Sequence, residues 1–196
     1  MAGTETVLIA MMEEPEWVKD MFHTYLDSCI ALFGRIWDAG YRFDSIQWPD
    51  DMGYKGTTFF SKEMYRDLLK PAHKRAADWA HERGVYAHLH SCGDVHPFIP
   101  DLMEIGVEML NPVEVKAGMD PVALKKTYGD RLGFHGGINA LLYNTPDKLW
   151  EEMERIIPVM KEQGGYILSS DHSVPDCVTL EDFRTFTDLA KRLGTY

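Results

Sequence analysis

The sequence predicts an α/β protein of the (β/α)8 TIM-barrel type, incomplete, with about five strand-then-helix units, and three observations point there. Short β-branched and aromatic runs alternate with longer stretches of helical periodicity, and parallel neighbours need a crossover of this kind. No Gly-rich phosphate loop follows any strand, which disfavours the open dinucleotide-binding sheet. Instead, polar residues recur at strand end after strand end: Asp50 and Asp51, His90 and Cys92, Glu114, His135, then Asp171 and His172. A ring of groups supplied by consecutive strand ends is the barrel arrangement.

Each element has its own signal. After Glu13-Glu14-Pro15, the residues Trp17, Val18, Met21, Phe22, Tyr25, Leu26, Cys29, Ile30, Phe33 and Trp37 recur at helical spacing, so a helix of about six turns is expected, ending near Gly40. Cys29 lies on its apolar stripe and reads as core. Phe43 to Trp48 is a buried strand. Ser61 caps a helix running to about Gly84, bent or divided at Pro71. A strand ends in the stretch His88 to Cys92, and helix and strand then alternate through 95–105, 108–111, 121–128, 132–135, 146–163, 166–169 and 180–193. The helix before the first strand has no strand of its own unless Val7 to Met11 is the remnant of one.

The chain has 196 residues and a formal net charge of −11 with no basic cluster, which argues against nucleic acid and anionic membranes as partners. No apolar run reaches the roughly 18 residues of a membrane span, and the start lacks the features of a signal peptide, so a cytoplasmic location is expected. The three cysteines, Cys29, Cys92 and Cys177, are widely spaced and do not suggest a disulfide scaffold.

The chemistry centres on His88-Leu89-His90-Ser91-Cys92-Gly93-Asp94. His90 and Cys92 lie two apart, so in extended chain they project to one side and can converge on zinc. His172, just beyond the strand Tyr166-Ile167-Leu168, is the preferred third ligand, and Cys177 is its rival. Three ligands leave the fourth position open, as a catalytic site requires. His88 reads as a supporting polar residue. Asp50 and Asp51 could accept hydrogen bonds from substrate or only cap a turn. Glu114 could be an oxygen ligand, a general base or the ion-pair partner of Lys116. His135, beside Gly136 and Gly137, could bind substrate or form a structural turn.

From about Gly3 onward the chain resembles the uroporphyrinogen decarboxylase superfamily, which includes the methylcobalamin:coenzyme M methyltransferases. The matching stretches are Asp50-Asp51-Met52-Gly53, His90-Ser91-Cys92-Gly93, Asn111-Pro112, Gly118-Met119-Asp120-Pro121, Tyr128-Gly129-Asp130-Arg131, Gly136-Gly137-Ile138 and Gly164-Gly165-Tyr166-Ile167. The resemblance implies a (β/α)8 barrel of about twice this length, of which residues 1–196 form a single domain equivalent to the carboxyl-terminal portion. In the methyltransferase branch a His-x-Cys pair and a later Cys hold zinc. His90 and Cys92 match the pair, and His172 stands where the later Cys falls.

Three functions are therefore weighed. The first is zinc-dependent transfer of a methyl group from a corrinoid, carried on a partner protein, to a small-molecule thiol. The second is metal-independent decarboxylation of a tetrapyrrole or related acid, with Asp51, His90 and His135 as contacts. The third is an inactive remnant. Five parallel strands cannot close an eight-stranded barrel, so an exposed sheet edge and self-association into a homo-oligomer are expected.

Overall fold

The computed structural model describes residues 2–195. Its first element corrects an expectation: the stretch Val7 to Met11 is helical, part of α1 (Thr4–Glu13). A short apolar run does not by itself separate strand from helix, and this one is rich in the strong helix formers Ala, Leu and Met, with Glu5 favourably placed in the first turn. Pro15 then starts α2 (Pro15–Asp38), where its missing N–H costs nothing. Gly40, at φ +94°, lets the chain turn away from the helix end.

Next come β1 (Ser45–Pro49) and a small hairpin of β2 (Gly53–Tyr54) and β3 (Thr57–Thr58), which the sequence reading did not anticipate. The expected capped helix is divided. Ser61 caps α3 (Lys62–Met64), a π-helical turn spans Tyr65–Leu69, and α4 (Lys70–His81) follows. Pro71 cannot donate to the preceding turn, so the ladder slips there and the Lys70 N–H reaches back to the Tyr65 carbonyl.

The remaining units follow the expected alternation: β4 (Tyr86–His90), α5 (Ile99–Glu104), β5 (Met109–Asn111), α6 (Pro121–Tyr128), β6 (Gly133–Ile138), α7 (Pro146–Met160), β7 (Tyr166–Ser170) and α8 (Leu180–Gly194). Asp120 and Thr179 cap α6 and α8 through their side chains. The main sheet is wholly parallel, in the order β1-β4-β5-β6-β7. It is a five-stranded segment of a (β/α)8-type barrel. No helix among the described residues is long and apolar enough to cross a membrane.

Alternation along the strands separates two faces. Leu89, Leu110 and Phe134 join Phe98, Leu102, Met153 and Ile157 of the surrounding helices and turns in one buried cluster. The residues between them, Gln47, His88, His90, Asn111 and His135, belong to the opposite, concave face. Strand β4 ends at His90, so Cys92 sits in the following loop rather than on the strand.

Candidate metal centre

Backbone contacts bring the loop after β1 against the loop after β4. The Gly53 N–H donates to the Cys92 carbonyl (3.1 Å), and the Asp94 N–H donates to the Tyr54 carbonyl (2.9 Å). Any side chain on Gly53 would collide with the Cys92–Asp94 backbone, and Gly93, at φ +82°, meets Gly53 just as closely. The hairpin of β2 and β3 therefore clamps the Cys92 loop from one side.

Two carboxylates hold the loop from within. Asp51 Oδ1 accepts from the Cys92 N–H (2.8 Å), and Glu114 Oε2 accepts from the Gly93 N–H (2.6 Å). Cys92 Sγ lies 3.5 Å from His90 Nε2, and His90 Nε2 lies 3.8 Å from Asp51 Oδ1. Asp51, His90 and Cys92 form one set of donor atoms mutually within 4.8 Å, and Cys92, Glu114 and His172 form a second. Cys92 belongs to both. The neighbouring loops are tied by Asp171, a buried carboxylate that accepts from the Ala140 N–H (2.9 Å) and the Val115 N–H (3.1 Å).

The donor chemistry fits zinc. Nitrogen at about 2.0–2.1 Å and sulfur at about 2.3 Å from a tetrahedral ion stand about 3.5 Å apart. The His90–Cys92 separation of 3.5 Å matches that edge. Burial, reinforced by Asp51 and Glu114, pushes the Cys92 thiol up to about 12, so the pocket favours a thiolate only if a cation joins it. The nearby cation, Lys116, is engaged by Glu114 Oε1 at 3.5 Å.

Of the residues singled out in the sequence, the structure sets Asp51 and His90 on one side of Cys92 and Glu114 and His172 on the other, with Cys92 the one member common to both groups. Asp50 turns elsewhere: its Oδ2 meets His73 Nε2 at 2.9 Å, and His73 Nδ1 lies 3.3 Å from the Tyr65 hydroxyl. Cys177 is exposed and donates to Asn144 Oδ1 (2.7 Å), outside both donor sets. His135 lies on the concave face, its ring 5.4 Å from that of His88 and its Nδ1 buried without a hydrogen-bond partner. Burial, with His90 adding to it, lowers its pKa.

Two residues escaped the sequence reading. Gln47 contacts both His88 and Asn111, and its one signal is a polar side chain between Ile46 and Trp48 on a strand. His73 had no signal, since it sits within an alanine-rich helix.

A family model described as uroporphyrinogen decarboxylase (URO-D) matches residues 1–193. A search of curated proteins finds no match. Among solved structures, the fold is similar to that of a methyltransferase from Methanosarcina mazei, with a TM-score of 0.73 and 20% identity. The match covers 99% of this chain and 55% of that one, so the chain spans about half its length.

Proposed function

The chain belongs to the uroporphyrinogen decarboxylase family, and from that premise we propose that it carries the zinc-dependent methyl-transfer centre of a corrinoid-using enzyme, with a small thiol as acceptor. One observation carries the reading: two donor sets, one from the strand ends of β1 and β4 and one reaching from the β5 and β7 loops, converge on Cys92. His90, Cys92 and His172 are the proposed ligands. Zinc held there would supply Lewis acidity, keeping a bound thiol as thiolate near neutral pH.

The protein's own groups divide the remaining work. Asp51 and Glu114 fix the Cys92 and Gly93 amides, and the Glu114 carboxylate, which belongs to the second donor set, can take the acceptor's thiol proton. His135 offers a neutral imidazole on the concave face for substrate contact. A methylated corrinoid would supply the methyl group as donor, its carbon–cobalt bond giving way, with the electron pair left on the corrinoid, as the acceptor's sulfur–carbon bond forms. The rim also bears on the alternative. It carries the carboxylates Asp51, Glu114 and Asp171, and Lys116 there is already paired with Glu114, a poor receptor for a polycarboxylate awaiting decarboxylation.

Elemental analysis of purified protein tests the centre. About one zinc per chain is expected, lost in Cys92→Ala and in His172→Ala and kept in Cys177→Ser. Full zinc in both alanine variants would overturn the ligand set, and zinc loss in Cys177→Ser would move the third ligand to Cys177.

A further inference from the structure

Beneath the proposed ligands a chain of side-chain hydrogen bonds crosses the sheet, and its direction can be read from one fixed point. The Asn111 side-chain Nδ2 donates to the backbone carbonyl of His135 (3.2 Å), a group that can only accept. Asn111 Oδ1 therefore faces the other way, toward His90 Nδ1 at 2.5 Å and Gln47 Nε2 at 3.2 Å. An amide oxygen cannot donate, so both of those nitrogens carry hydrogen. Gln47 Nε2 has a second hydrogen, and His88 Nε2 lies 3.3 Å from it.

We infer that Asn111, backed by Gln47, is a positioning residue that locks His90 as the Nδ1–H tautomer and so presents its Nε2 lone pair to the metal. The same chain makes His88 Nε2 an acceptor of Gln47, which removes it from ligand duty and leaves it as a strut beneath the site. His90 and Asn111 face each other in register on β4 and β5, and Asn111 is buried, so the lock is built into the sheet rather than into a loop. Without the oxygen, the imidazole could place its proton on Nε2, which would then point at Cys92 and could not bind a metal. The inference rests on the zinc reading only for its purpose, because the tautomer exists in the metal-free protein.

Two measurements on the same chain separate these. Multiple-bond 15N–1H NMR of the metal-free protein, with His90 assigned through His90→Gln, reads the tautomer; competition with a chromophoric chelator reads zinc affinity. We expect Nδ1–H at His90 in the native chain and a shift toward Nε2–H in Asn111→Leu, with zinc affinity down roughly 10- to 100-fold. Asn111→Asp, which keeps an acceptor at the same place, should retain the Nδ1–H tautomer. Nε2–H in the native chain overturns the inference, as does a folded Asn111→Leu that keeps both the native tautomer and zinc affinity within twofold. Should Asn111→Leu not fold, the native spectrum and Gln47→Leu, expected to show a mixed His90 tautomer, still decide it. A native chain with Nδ1–H that binds no zinc would sink the metal reading and leave the lock standing.

Discussion

His88 is enclosed on the concave face by Gln47, His90 and His135, and burial, with the two histidines adding to it, pushes its imidazole down to about 4. A histidine in the unfolded chain titrates near 6.5, so between those values the unfolded state binds more protons than the folded one. Stability should be full above about pH 6.5 and fall as pH drops toward 4, by at most about 1.4 kcal/mol for each pH unit. Urea midpoints of His88→Gln should decline less steeply over that window than those of the native chain; equal slopes would remove His88 as the cause. The aspartate pair shows what sequence reading blurred at this scale. Neighbours in an extended segment face opposite ways, so Asp51 can reach the Cys92 loop only if Asp50 turns toward α4 and His73. Treating the two as one substrate-binding unit passed over that alternation.

Among the elements, α5 is held to the divided helix before it by Asp101. This buried carboxylate receives Arg66 Nε at 2.9 Å and Lys70 Nζ at 2.6 Å, with Lys62 at 3.4 Å. Burial alone would raise its pKa, but the hydrogen bonds from Arg66 and Lys70 outweigh that and hold the carboxyl down to about 2. Its cations reach solvent in part, so its loss is buffered. Asp101→Ala should cost about 1–3 kcal/mol by chemical denaturation, whereas Glu104→Ala, at the exposed end of the cluster, should stay within about 0.5 kcal/mol. A clamp of this kind was not legible beforehand, because nothing in 31 residues of separation announces an ion pair. Periodic helices and the strand positions were legible, but the strand expected to be buried at Phe43 to Trp48 is β1, which alternates between exposed and half-buried residues because it lies at the sheet edge. The misread elements were short: α1 has too few residues for its period to declare itself, and the hairpin of β2 and β3 has two-residue strands fixed by contact with the Cys92 loop.

At the scale of the whole molecule, the sheet leaves β1 and β7 each with one neighbour, although both belong to one parallel array. Helix α2 has Val18 as its one fully buried residue, and an apolar cavity of about 380 Å³ lies between it, β1 and α4. Ile167 of β7 remains 45% exposed. If a second copy filled both gaps, its β7 would run parallel to the first chain's β1, and one two-fold axis along the strands would make both junctions at once. Each 100 Å² of apolar surface so covered would contribute roughly 2.5 kcal/mol, while a net charge of −11 on each copy opposes the approach. Screening weakens that opposition, since the Debye length falls from about 30 Å at 0.01 M salt to about 3 Å at 1 M. Sedimentation should therefore show a concentration-dependent dimer that strengthens with added salt, and Ile167→Lys should weaken it without lowering the stability of the monomer. A monomer that stays compact at high micromolar concentration in high salt would mean that the edges are closed some other way.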